Sequence, residues 1–336
     1  MWPWLLSCLA CGSSIVLFDG SPFKPDPYHL WDFVEEVGVT IFGTSAKYLQ
    51  HLQESSIVLN EKYKLSKLKA IYSTGSPLRG ETFSFVYSSI KSDLLLASIT
   101  GGTDIISLFA GMNWTLPVYR GEIQAPCLGM KIESWSDKRQ VLHDAAGDLV
   151  CTKPFPCMPV YFLNDKNNEL YMNAYFKQFP GIWAHGDFVI MNSQTMGLMM
   201  LGRSDGTLNP AGVRFGSAEL YNIVQTFPEV SDSLAVGQKR PEDDDERVFL
   251  FLKMAEGHEM TESFVSKLKL KIRTELSPRH VPAFVLPTDD IPHTVNGKKV
   301  EIAVKNILCG RDNINFGSLA NPKSLEYFRK IFLEIK

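Results

Sequence analysis

Apolar positions along this chain fall into short runs punctuated by Gly, Pro and Asp. Residues 3–11 form an apolar stretch closed by Gly12, which predicts a buried helix, and residues 14–18 predict a short strand ended by Asp19-Gly20-Ser21-Pro22. From Tyr28 onward Leu30, Phe33, Val34 and Val37 recur at helical spacing, and Gly38 stops that helix. Residues 39–42 predict a second buried strand, followed by a helix over 45–52. Residues 68–72 and 94–97 predict two more strands with a helix between them. Strands alternating with helices indicate a largely parallel α/β sheet, in which ligands sit beyond the carboxyl ends of the strands.

Between residues 116 and 175 the pattern changes to short β-like runs (121–124, 130–133 and 147–151) broken by Gly and Pro. Past Asp205 the composition shifts again, consistent with a domain boundary. Residues 233–236 and 248–252 predict strands on either side of an acidic, solvated turn, Pro241-Glu242-Asp243-Asp244-Asp245-Glu246. Phe264, Leu268, Ile272 and Leu276 mark one face of an amphipathic helix, and residues 322–335 predict a last helix.

At 336 residues the chain can bury sizeable cores, and length suggests about two domains. A net charge of -3 gives no reason to expect nucleic acid, and the lysines at 62–69 and 267–271 are interleaved with apolar residues as on amphipathic elements. Cys8 and Cys11 have C-x-x-C spacing but no second pair at metal-ligand spacing. With Cys127, Cys151, Cys157 and Cys309 they read as buried free thiols of a reducing compartment. The apolar start lacks a basic region and is too short to span a membrane, so the expectation is a cytosolic protein.

Candidate chemistry gathers in five places. Gly75-Ser76-Pro77 follows the strand at 68–72, and Thr100-Gly101-Gly102-Thr103-Asp104 follows the strand at 94–97. Gly and Thr at strand-to-helix turns let amides and a hydroxyl approach a phosphate. His185-Gly186-Asp187 places a carboxylate where it can accept hydrogen bonds from vicinal hydroxyls, and His185 reads as a positioning residue. Gly202-Arg203-Ser204-Asp205-Gly206 leads through Gly212-Val213-Arg214 to Ala218-Glu219, pairing chain bends with guanidinium forks suited to phosphate. Pro292-His293-Thr294-Val295-Asn296-Gly297-Lys298-Lys299 carries a lysine pair after a turn glycine. His143 and Asp144 sit on a turn and carry no assigned chemistry.

These five stretches, in this order, resemble the motifs of the adenylate-forming acyl-CoA synthetase superfamily, most closely its acetoacetate-activating branch. The resemblance implies a partial adenylate-forming fold of α/β class. It would comprise an incomplete, mostly parallel sheet domain with a small β-subdomain at about 116–200 (together residues 1–202), a hinge at 203–206, a small α+β domain at 207–310 and an extension at 311–336. Gly75, Ser76 and Pro77 would flank adenine, and Gly102 and Thr103 would meet the α-phosphate. Asp104, where the superfamily has glutamate, would help hold Mg2+. Thr100 and Gly101 would line the acyl pocket, Gly101 leaving space that a tryptophan closes in acetate-specific relatives. Asp187, Arg203 and Arg214 would form a ribose-phosphate cluster, with His185 in place of the superfamily's threonine. Asp205 would be the hinge residue and Lys298, directly after the glycine, the catalytic lysine.

The implied reaction consumes acetoacetate, ATP and coenzyme A, with no nucleic acid or membrane partner. Members of the superfamily are roughly twice as long and carry a Gly-rich Ser/Thr-Lys phosphate loop that this sequence does not contain. The expectation is therefore a C-terminal half with severely impaired adenylation on its own. Two alternatives remain open: a non-catalytic truncated isoform or binding module, and a ligase for another short- or medium-chain acid.

Overall fold

The chain divides into two units in the computed structural model, which describes residues 2–239, 243, 245–295, 297–311 and 319–334. One unit is Met1–His185 with Ile190–Met199, and the other is Gly186–Val189 with Met200–Lys336.

In the first unit, helices α1 (Trp2–Ala10), α2 (His29–Val37), α3 (Ala46–Glu54) and α4 (Gly80–Phe85) accompany strands β1 (Ile41–Ser45), β2 (Ala70–Thr74) and β3 (Leu95–Ser98). The three strands form a parallel sheet in the order β1-β2-β3. Its alternate faces are covered: Ile71 and Leu96 join Trp31, Leu49, Leu52 and Phe83 in one core, while Tyr72, Leu95 and Ala97 join Ile99 in another. The α2 stop is as expected, with Gly38 at φ 72° capping the helix through its N–H to Val34 O. Ser45 caps α3 by accepting from the Tyr48 N–H at 3.2 Å.

The chain then continues as further strands. Strands β4 (Thr100–Gly102), β5 (Ser107–Gly111) and β6 (Ala125–Pro126) form one sheet. Strands β7 (Ile132–Trp135), β8 (Val141–Leu142), β9 (Ala146–Cys151), β10 (Trp183–Met191) and β11 (Leu198–Arg203) form another, in the order β11-β10-β9-β7-β8. Helix α5 (Glu169–Tyr175) precedes β10.

Several expectations need correction here. The expected buried helix at 3–11 is α1, which ends at Ala10 and leaves Leu6 and Leu9 exposed. Residues 14–18 form no strand: among the described residues none completes a ladder with them, and Leu17 is 72% exposed. β1 is a sheet edge whose residues alternate between exposed and half-buried. The loop after β3 does not turn into a helix but runs into the β4–β5 hairpin. Residues 121–124 make only an isolated bridge, Ile123 to Leu198. All six cysteines are free, but only Cys151 is buried.

The second unit packs helices on both faces of one sheet. Strands β12 (Val230–Gln238) and β13 (Arg247–Met254) are antiparallel, and β14 (Phe284–Pro287) lies parallel to β13. Ala235, Val248, Leu250 and Leu252 face α6 (Ser217–Val224) and α7 (Glu262–Glu275) in one core. Leu234, Val236, Phe249 and Phe251 face α8 (Glu301–Leu308) and α9 (Leu325–Glu334) in a second core. Burial on both faces explains why residues 248–252 are continuously apolar instead of alternating. Of the acidic turn, residues 241, 242 and 244 lie outside the described residues, as do Asn296, 312–318 of the extension and Ile335. Among the described residues no helix is long and apolar enough to cross a membrane.

Candidate functional site

Within the first unit, β2 ends at Thr74, and Gly75 takes φ 93°, a conformation that favours glycine. Gly75, Ser76 and Pro77 are exposed, while Leu78 anchors the loop in the core. The next loop is tied alongside by the Thr74 hydroxyl donating to Ile99 O at 3.4 Å. There Thr100 is buried and Thr103 and Asp104 are exposed.

Gly101 is dictated by a close backbone approach. A Cβ at this position would lie 2.1 Å from the Ser107 carbonyl oxygen of β5, so the sheet itself excludes a side chain. The space attributed to Gly101 is therefore occupied by the neighbouring strand in the direction a side chain would take. Gly102 is similarly crowded, its Cβ position 2.8 Å from His185 Cε1.

An aromatic stack that the sequence pattern did not reveal backs this loop. Tyr175 donates its hydroxyl to Asp104 Oδ2 and stacks on Trp183 with ring centroids 3.7 Å apart. The Trp183 indole N–H points at His185 Nδ1, 3.4 Å away. His185 is buried with its ring edge-on to Phe109, which makes it a wall of the site and not a solvent-facing base. The one available signal was strand periodicity, which puts Trp183 and His185 on one face of β10; nothing local pointed to Tyr175.

Among the described residues no group of three or more His, Cys, Asp or Glu side chains could enclose a metal. Asp104 nevertheless fits Mg2+. That ion is commonly held by one or two carboxylates together with substrate phosphates and water, and Asp104 is an exposed carboxylate beside a Thr/Gly loop.

Within the second unit, Asp187 and Arg203 are brought together, with Arg203 Nη1 2.9 Å from Asp187 Oδ1. Gly186 makes room for this pair. Its φ is 78°, and a Cβ there would lie 2.8 Å from Arg203 Nη2. Arg203 Nε also lies 3.7 Å from Asp205 Oδ1. Arg214 stands in the same region, its guanidinium carbon 4.6 Å from the centroid of the Phe188 ring. It donates to Thr207 Oγ1 at 3.0 Å and to Ser204 O at 3.2 Å. It thus braces the turn at Ser204–Gly206.

Gly206 packs against Glu301, whose Oε2 would lie 3.0 Å from a Cβ at that position. Glu301 accepts hydrogen bonds from Ser217 Oγ at 2.7 Å and Tyr221 Oη at 2.5 Å. Burial raises the Glu301 pKa against the opposing effects of those hydroxyls and of Lys299, and burial also raises Tyr221. Sequence reasoning had missed both residues.

The two lysines after Gly297 have opposite fates. Gly297 adopts φ 76° and closes a tight turn, its N–H to Thr294 O at 2.8 Å, and Thr294 N–H reaches Lys298 O at 2.8 Å. Lys298 is exposed. Lys299 is half-buried, with Nζ 2.8 Å from Asp232 Oδ1, donating to Ser233 O and lying 4.1 Å from the centroid of the Tyr221 ring.

Comparison with known proteins bears directly on this arrangement. The family model described as AMP-binding enzyme matches residues 1–162. An acetoacetyl-CoA synthetase of Gallus gallus is 53% identical over 331 residues, covering 98% of this chain and 50% of the relative. The solved acetoacetyl-CoA synthetase from Streptomyces lividans superposes with a TM-score of 0.91 at 38% identity, covering 100% of this chain and 52% of the other. An anthranilate CoA ligase in complex with anthranoyl-AMP shares the fold, with a TM-score of 0.67 at 16% identity over 86% of this chain and 53% of the other. The chain thus spans about half the length of the curated relatives it matches.

Proposed function

We propose that this chain is the C-terminal, lysine-bearing part of an acetoacetate–CoA ligase of the adenylate-forming acyl-CoA synthetase superfamily, a reading supported by the AMP-binding match at residues 1–162 and by the acetoacetyl-CoA synthetases it resembles. In the first step an acetoacetate oxygen attacks the α-phosphorus of ATP, giving acetoacetyl-AMP and diphosphate. In the second, the thiolate of coenzyme A attacks the acyl carbon and expels AMP, giving acetoacetyl-CoA. The assignment of acetoacetate rests on relatives bearing that activity in their names, matched over 98% of this chain. The observation that carries the residue assignments is the contrast at the lysine pair: Lys298 is exposed on a closed turn while Lys299 is committed to Asp232.

In this reading the Lys298 ammonium offsets the charge that builds up as the carboxylate attacks phosphorus. Asp187, held by Arg203, accepts from the ribose hydroxyls, and Arg214 is assigned with them to the ribose-phosphate part of the nucleotide. Exposed Gly75, Ser76 and Pro77 flank adenine, while Gly102 and Thr103 meet the α-phosphate. Asp104, oriented by Tyr175, would hold Mg2+, which when bound neutralises phosphate charge. Thr100 lines the acyl end. Residues 203–206 serve as the hinge, centred on Asp205, between a large-domain part at 1–202 and a small domain at 207–310, with 311–336 as an extension. We place the protein in the cytosol.

Acetoacetate-dependent ATP–pyrophosphate exchange tests this, on the 336-residue chain and on a version extended to the length of its relatives. Lys298→Ala should cut exchange by about 10²–10³-fold. Exchange that ignores Lys298→Ala would overturn the lysine assignment. A lack of exchange in both lengths would favour a non-catalytic binding module, the reading suggested by the half-length match. A panel of short- and medium-chain acids checks acetoacetate itself.

A further inference from the structure

The turn bearing Lys298 is fastened at both ends to one carboxylate. His293 and Lys299 flank the turn and pair across it as an isolated antiparallel bridge. Their side chains converge on Asp232 of β12, one on each oxygen: His293 Nε2 lies 3.2 Å from Oδ2 and Lys299 Nζ lies 2.8 Å from Oδ1. The strand supplies the aim. The β12–β13 register shifts between Val230 and Asp232, and such an irregularity redirects side chains. The Asp232 carboxylate also receives the Ser233 N–H at 2.8 Å.

The surroundings stiffen each arm. His293 donates its backbone N–H to Asn321 Oδ1 at 2.9 Å, and its Nδ1 lies 2.8 Å from Ile291 O. Lys299 is held further by Ser233 O and the Tyr221 ring. Burial acts to raise the Asp232 pKa, but the His293 and Lys299 contacts outweigh it and leave it well below the ordinary carboxylate value. Lys298, between the two arms, makes a backbone N–H bond to Thr294 Oγ1 at 3.1 Å while its side chain extends into solvent.

We propose that Asp232 is a positioning residue for Lys298, fixing both flanks of its turn so that the Lys298 backbone is ordered before substrate arrives. The proposal rests on the reading of Lys298 as the adenylation lysine. Side chains held out of place by about 1 Å can cost on the order of 10²-fold in rate, so a carboxylate that never touches substrate can still govern the chemical step.

Two arms test it. In the first, hydrogen–deuterium exchange is followed on the 336-residue chain carrying Asp232→Asn, which keeps the side-chain size but removes the charge. Amides of Thr294, Gly297, Lys298 and Val300 should exchange faster while those of β13 keep their protection. His293→Gln and Lys299→Met, each releasing one arm, should give partial versions of the same change. Unaltered exchange of this turn in a variant whose β13 stays protected would overturn the clamp.

In the second arm, Asp232→Asn should lower kcat for acyl-adenylate formation by about 10–100-fold with little change in KM for ATP. Reaction of preformed acetoacetyl-adenylate with coenzyme A should be unaffected. In a Lys298→Ala background the same substitution should cost nothing more, because both changes act through one group. Equal loss in both half-reactions, or additive losses with Lys298→Ala, would identify a merely structural residue. If the protein extended to the length of its relatives, used for this second arm, forms no adenylate before any substitution, the functional reading fails and the catalytic role of Asp232 falls with it; the first arm still decides whether Asp232 holds the turn.

Discussion

Glycine 101 shows how a residue chosen for one reason in the sequence has another in the fold. Read as a vacancy in an acyl pocket, it invites a larger side chain; in the structure its missing Cβ lets the Ser107 carbonyl of β5 come within 2.1 Å of that position. Gly101→Ala should therefore destabilise the protein by about 1–3 kcal/mol through forced backbone displacement, seen as a lower thermal midpoint. An unchanged midpoint would mean that the β4–β5 pairing yields at little cost. Gly212→Ala is a useful control, since φ is 75° there but nothing lies within 4 Å of the added atom. It should cost only the left-handed conformation, about 1–2 kcal/mol. The lysine pair makes a parallel case. Adjacent and chemically identical, Lys298 and Lys299 separate only when Asp232, remote in sequence, is brought beneath the second of them.

At the scale of elements, helices and buried strands were legible because their signals are local. Gly38 ends α2, Ser45 begins α3, and the alternating faces of β12 and β13 fill two cores. What failed was partnership. Residues 14–18 have the composition of a strand but join no ladder among the described residues, and the helix at Trp2–Ala10 leaves Leu6 and Leu9 exposed. Periodicity reports which face of a segment is apolar, not what covers it. The motif-bearing loops were found for the same local reasons, whereas Tyr175, Asp232 and Glu301 were not, because each acts across a long sequence separation.

Glu301 gives this scale its own prediction. It begins α8, packs under Gly206 and binds two hydroxyls of α6, Ser217 and Tyr221. Its folded pKa is raised, chiefly by burial, above the ordinary 4.5. A carboxyl raised on folding supports the native state most fully below its unfolded pKa, and that support is lost as pH rises through the folded value. Glu301→Gln keeps an acceptor for both hydroxyls but cannot ionise. Denaturant titrations should therefore show this variant losing less stability than the parent as pH rises from about 4 to 7. A steeper loss in the variant would mean that the carboxylate, in the field of Lys299, is the form the fold prefers.

The two units of the whole molecule are unequally finished. In the second, helices cover both faces of β12-β13-β14 and two separate cores close around the sheet. In the first, the parallel sheet among the described residues is β1-β2-β3, β1 lies at an edge with exposed positions, and Leu6, Leu9 and Leu17 are exposed. An open sheet edge and exposed apolar side chains each favour association. The chain spans about half the length of the curated relatives it matches, so the proposed ligase chemistry is tested most directly at their full length. A fragment of residues 200–336 should accordingly unfold cooperatively by itself, with matching transitions by circular dichroism and by the fluorescence of Tyr221 and Tyr327. The 336-residue chain should associate with rising concentration in sedimentation, and Leu6→Lys with Leu9→Lys should weaken that association while moving the thermal midpoint little, because neither side chain belongs to a core. Should the double substitution instead lower the midpoint sharply, α1 is packed in solution, and the association must be traced to the β1 edge.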